Sequence, residues 1–70
     1  MISAIQISLA AARVNAKLTQ EEVAVRMNIG KRTIINWEKG LITPSLANIT
    51  MLSNIYNIPV DNIFLPKKST

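Results

Sequence analysis

The chain of 70 residues has no cysteine and no histidine. Disulfide staples are therefore excluded, zinc loses its usual ligands, and nucleophilic catalysis loses two of its commonest side chains. Acids are scarce, occurring only at Glu21, Glu22, Glu38 and Asp61. Glu21 and Glu22 are adjacent, so on a helix they point to different sides and make no catalytic pair. No glycine-rich phosphate loop is present, and an enzyme is the weakest of the functional classes. Aromatics make up 4% of the sequence against 49% for all hydrophobic residues, so any core must be aliphatic. No apolar run approaches the roughly 18 residues of a membrane span. The apolar segment "ISAIQISLAAARV" lacks a basic leading region and is interrupted by Ser3, Gln6 and Ser8, which argues against a signal peptide. The expectation is one small cytoplasmic domain, with no membrane association, no cofactor and no metal. A chain this short needs a partner or efficient helix packing to be stable.

What is abundant is positive charge, eight Lys and Arg against four acids for a net charge of +4. Lys31, Arg32 and Lys39 cluster, and Lys67 and Lys68 lie near the chain's end. An anionic partner accounts for this, and so does simple solubility of a small domain.

Helix signals recur along the chain. Ser3 and Gln6 have capping-box spacing, and Ile5, Leu9, Ala12 and Ala16 follow at helical intervals, predicting a helix over about 4–15. Thr19 and Glu22 form a second capping box, with Glu21 and Glu22 favoured by the positive end of the helix dipole. Val23, Ala24 and Met27 make the apolar stripe of that helix, which stops near Asn28. A third helix begins at Lys31 and ends near Lys39, with Gly40 as its left-handed stop. Ser45 caps a fourth, with Leu46, Ile49, Leu52 and Ile55 along one face and Asn57 at its end. Pro59 starts a last turn of helix over Val60 to Phe64. No strand is expected. Five helices with short connections predict an all-α bundle over 3–65, followed by a short basic tail, 66–70.

The third helix is basic where a helix favours acid. Lys31 and Arg32 in its first turn oppose the macrodipole at a cost of about 0.3–1 kcal/mol each. A helix aimed at phosphates or base edges makes that arrangement sensible, because the ligand supplies the negative charge. On a helical wheel Ile34 and Trp37 face inward, with Ala24 and Met27 of the preceding helix. Lys31, Arg32, Ile35, Asn36 and Lys39 face outward. Lys and Arg suit guanine, Asn suits adenine, and an aliphatic side chain suits the thymine methyl. Ile35 also fits an ordinary exposed apolar residue. Trp37 in the core stripe is favoured over Trp37 as a stacking platform for single-stranded nucleic acid.

The stretch "LTQEEVAVRMNIGKRTIINWEKG", with "TPSL" after it and "NIPVDNIF" near the end, resembles the phage Cro and repressor family of helix-turn-helix proteins, also called the xenobiotic-response-element family. The resemblance covers about Ile5 to Leu65. It implies a compact five-helix, lambda-repressor-like DNA-binding domain with the helix-turn-helix at helices two and three. Gln20 matches the family's glutamine that contacts a phosphate and braces the recognition helix. Ala24 is the small residue between the two helices, Ile34 and Trp37 take buried positions, and Arg13 falls where relatives pair an arginine with the glutamate matching Glu38. Asn28 and Lys17 stand where glycine is common, and Gly30 replaces the usual Ser or Thr cap of the recognition helix.

The function so implied is a sequence-specific transcriptional regulator, of the repressor type, bound to a double-stranded DNA operator as a homodimer. Lys31, Arg32, Ile35 and Asn36 would contact bases, and Gln20, Lys39 and Thr43 phosphates. Leu41 and Ile42 replace the basic or polar loop residues of many relatives, and with Phe64 and Leu65 they are candidate subunit contacts. Two alternatives share the fold: an antitoxin-like component whose main partner is another protein, and a protein-interaction module without DNA affinity.

Overall fold

Leu9–Asn15 (α1), Gln20–Met27 (α2), Lys31–Glu38 (α3) and Leu46–Tyr56 (α4) are the helices of the computed structural model, which describes residues 6–65. Ser3, Ile5 and the basic tail lie outside the described residues, and with them the first capping box and the start of the expected first helix.

Within the described part, α1 starts later than its apolar spacing suggests. Ser8 is its N-cap and accepts a hydrogen bond from the Ala11 amide at 3.1 Å. Ile7 and Ser8 are extended, because Ile7–Ser8 (β1) pairs in parallel with Ile63–Phe64 (β2), Ile7 opposite Ile63 and Ser8 opposite Phe64. Strands of two residues are too short for any alternation to announce them.

The fifth helix is likewise corrected, to a single 3-10 turn over Val60–Asn62. Pro59 fixes its own φ and accepts the Asn62 amide at 2.9 Å, after which Ile63 swings to extended geometry to join β1. Among the described residues the domain is thus four α-helices, one 3-10 turn and a minimal parallel pair.

The core takes Leu9 and Ala12 from α1, Val23, Ala24 and Met27 from α2, Ile34 and Trp37 from α3, Ile49, Leu52 and Tyr56 from α4, and Ile63 from β2. Two positions on α4 depart from the expected stripe. Leu46 is 74% exposed, whereas Tyr56 is buried. Pro44 is the buried residue at the start of α4, and Leu46 in the first helical turn projects past it to solvent, while Tyr56 lies one turn beyond Leu52 on the inner face.

All four helices stop in the same way. Lys17, Asn28, Gly40 and Asn57 each adopt a left-handed backbone, with φ of 62°, 58°, 76° and 56°. The next residue then donates its amide back to the carbonyl five residues earlier: Leu18 to Arg13, Ile29 to Ala24, Leu41 to Asn36, Ile58 to Ser53. These are Schellman-type caps, which satisfy orphan carbonyls and usually turn the following aliphatic side chain back onto the helix. Leu18, Ile29 and Ile58 do pack against the core; Leu41 is 56% exposed.

Candidate nucleic-acid interface

Glu38, at the end of α3, gathers side chains from α1 and α2. Its Oε2 accepts Arg13 Nε at 2.7 Å, and its Oε1 accepts Arg13 Nη2 at 3.2 Å and Gln20 Nε2 at 3.0 Å. Arg13 Nη1 donates in turn to the Leu18 carbonyl at 3.0 Å, holding the turn between α1 and α2. The two charged side chains are only 15% and 8% exposed. The hydrogen bond to Glu38 is the main cause that raises the Arg13 pKa above its ordinary value. A partly buried, bidentate pair of this kind fixes direction as well as distance. Arg13 is therefore engaged inside the domain, on Glu38 and on its own turn.

Tyr56 of α4 belongs to the same neighbourhood. Burial, reinforced by the negative charge of Glu38, pushes its phenol up to about 12. Sequence patterning misses it, because the expected inner stripe of α4 ran through Ile55.

The relation of α2 to α3 follows from local chemistry. Thr19 caps α2 by accepting the Glu22 amide at 3.0 Å, and Glu22 accepts the Thr19 amide at 2.8 Å. Those bonds to Thr19 hold the Glu22 carboxyl below the usual carboxylate range. Asn28 ends α2 in the left-handed region, half-buried Ile29 packs on the core, and Gly30 begins α3 in extended geometry. With Ala24 buried at the contact, α3 lies directly against α2.

That packing decides what α3 shows to solvent. Ile34 and Trp37 are buried, Lys31, Arg32 and Lys39 are exposed, and Ile35 and Asn36 are half-buried. Residues 31, 32, 35, 36 and 39 share one side of the helix by their spacing. Gly30 supplies no side-chain cap. The first turn of α3 therefore offers backbone donors that no cap side chain covers, alongside two cationic side chains.

A shallow cleft of ≈ 420 Å³, lined by Arg13, Leu18, Thr19, Gln20, Glu21 and Lys31, joins the start of α2 to the start of α3. Gln20 and Lys31 thus share one surface. Thr43 is exposed in the loop after α3, as are Leu41 and Ile42. Phe64 and Leu65 come at the end of the described chain, Phe64 46% exposed and Leu65 half-buried against the core. No group of three or more acids that could hold a metal ion occurs among the described residues, and no helix among them is long and apolar enough to cross a membrane.

Two helices joined by a three-residue turn, the second braced at its far end and bare at its basic first turn, define a helix-turn-helix domain. The chain belongs to the helix-turn-helix family, whose model matches residues 9–63. It is similar to the cryptic phage CTXphi transcriptional repressor RstR of Vibrio cholerae, 40% identical over 48 residues, which is 69% of this chain and 43% of that protein. It is similar also to the HTH-type transcriptional regulator ImmR of Bacillus subtilis, 38% identical over 71% of this chain and 39% of ImmR. An uncharacterized HTH-type transcriptional regulator of Archaeoglobus fulgidus is 34% identical, with 76% of this chain and 75% of the relative covered. The chain spans less than half the length of RstR and of ImmR. No solved structure matches it significantly.

Proposed function

We propose that the protein is a sequence-specific, double-stranded DNA-binding transcriptional regulator that acts in the cytoplasm as a Cro-type repressor, with α3 in the major groove. The observation that carries this is the first turn of α3, where Lys31 and Arg32 stand exposed against the helix dipole with no side-chain cap between them and solvent. Lys31, Arg32, Ile35 and Asn36 read base edges, and their common side of the helix supports that division. Lys39 and Thr43 hold phosphates. So does Gln20, whose NH₂ group gives one hydrogen to Glu38 and keeps a second for the backbone of the duplex.

Repression is supported by the phage repressor RstR among the relatives. Binding as a twofold dimer places the two copies of α3 about 34 Å apart on successive turns of one face of DNA. Fluorescence anisotropy on a labelled random duplex, titrated with salt, tests the reading. Binding that falls steeply with salt and collapses in a Lys31→Ala/Arg32→Ala double variant is the expected result. No binding by the wild type even at low salt would overturn it.

A further inference from the structure

Of the four left-handed helix stops, three hold residues that this backbone favours. Gly40 has no Cβ to strain, and Asn28 and Asn57 tolerate the region better than most side chains. The fourth holds Lys17 at φ 62°, where glycine or asparagine would fit at lower cost. Backbone held against its preference in this way clusters at functional sites. Lys17 is exposed, and among the described residues its ammonium takes part in no hydrogen bond or ion pair. Solubility does not account for it, because Val14 and Asn15 beside it are exposed helical positions where a charge needs no left-handed backbone. A cation does gain at a helix C-terminus, but Arg13 already lies in the last turn of α1, and α4 ends at Asn57 without one.

The place of Lys17 in the fold supplies a reason. The three residues that follow it, Leu18, Thr19 and Gln20, line the cleft that runs to Lys31 at the start of α3. Arg13 lines the same cleft but is held by Glu38 and the Leu18 carbonyl. Lys17 is therefore the cation that the turn between α1 and α2 presents to solvent. We propose that Lys17 is a phosphate-binding residue, and that its ammonium takes a phosphate beside the one held by Gln20 on the same DNA strand.

Reach permits this. Three residues span at most about 10 Å of chain, and successive phosphates of one strand follow each other at about 3.4 Å of rise. A lysine meets a phosphate as a point charge on a flexible stem, so the contact strengthens binding to every sequence alike and reads none of them. The turn then trades conformational preference for a charge at the DNA surface. The inference rests on the DNA-binding function proposed above and adds to it a contact from outside the two helices of the helix-turn-helix.

Salt-titrated anisotropy on a labelled random duplex tests the contact in wild type, Lys17→Gly, Lys17→Gln and Lys17→Arg, with a urea midpoint measured for each. Arg26→Gln is the control, since it removes the same unit of charge from the exposed last turn of α2. Lys17→Gly and Lys17→Gln should each bind about tenfold more weakly at about 50 mM salt and flatten the salt slope by about one. Lys17→Arg should keep the slope, and so should Arg26→Gln. Lys17→Gly should combine weaker binding with a higher urea midpoint, an opposition that a purely structural lysine does not produce. Slopes unchanged in both neutral variants, or flattened equally in Arg26→Gln, would overturn the proposal. Those results leave the DNA-binding function standing, whereas a wild type that binds no duplex at low salt rejects that function and this contact with it.

Discussion

Replacing Glu38 by alanine removes one acceptor that serves α1, α2 and α3 together. Three hydrogen bonds are lost, two from Arg13 and one from Gln20. The Arg13 guanidinium keeps the Leu18 carbonyl but is left without a counter-ion in a site where it is 15% exposed. Charge-assisted hydrogen bonds contribute about 1.5–3 kcal/mol, and breaking a fully buried pair costs about 3–5 kcal/mol. For a pair partly open to water, Glu38→Ala is expected to lose about 2–4 kcal/mol. A domain of this length has roughly 4–10 kcal/mol in total, so the change removes a large share of it.

Urea unfolding followed by the fluorescence of Trp37, the only tryptophan and a buried one, measures the loss directly. A double-mutant cycle isolates the pair. Arg13→Met with Glu38→Ala should cost less than the two single changes together, by about 1 kcal/mol or more. Single losses below about 0.5 kcal/mol that simply add would show that the pair contributes no more than a surface salt bridge, and would refute the reasoning.

Lys17→Gly relieves a left-handed backbone at φ 62° and should stabilise the domain by a net amount up to about 1 kcal/mol, read as a higher urea midpoint. Trp37→Ala empties a core position and should cost about 3–5 kcal/mol; a stable variant that only fails to bind DNA would make Trp37 a contact residue. Tyr56 gives an alkaline signature. With its folded pKa raised to about 12, its stabilising contribution is complete below the ordinary value near 10 and is lost as pH rises through 12. The loss amounts to about 2–3 kcal/mol. It should be absent from Tyr56→Phe, and therefore appear in full in the pH–stability difference between wild type and that variant. Arg32→Ala should lose about 1–3 kcal/mol on the preferred site and relax one base pair, whereas Lys39→Ala should weaken all duplexes alike and flatten the salt slope by about one; equal losses on preferred and random DNA for both would reject the division of roles.

Where one side chain or one short motif dictates the backbone, the sequence was legible. The Thr19–Glu22 box, the Ser45 cap and the stops at Asn28, Gly40 and Asn57 lie where local chemistry puts them. Ile34 and Trp37 turn inward because helical spacing leaves no other side facing α2. Legibility failed where the deciding partner is far away in sequence. Ile7 is extended because Ile63 pairs with it, which no local pattern around Ile7 encodes. Leu46 falls outside the core and Tyr56, absent from the expected stripe, falls inside it, because the core's boundary along α4 is set by the other elements. The Glu38 cluster was visible only through the family resemblance, since residues 13, 20 and 38 are joined by tertiary packing alone.

The parallel pairing of β1 with β2 has a consequence for kinetics. The helices and their caps form from neighbours along the chain, the fast class of contact, whereas Ile7 meets Ile63 only after nearly the whole described chain has closed into a loop. The strand pair is therefore expected to form last and open first. Hydrogen exchange at the β1 and β2 amides should then report a local opening far below the global unfolding free energy, while the buried turns of α2 and α3 exchange only when the whole domain comes apart.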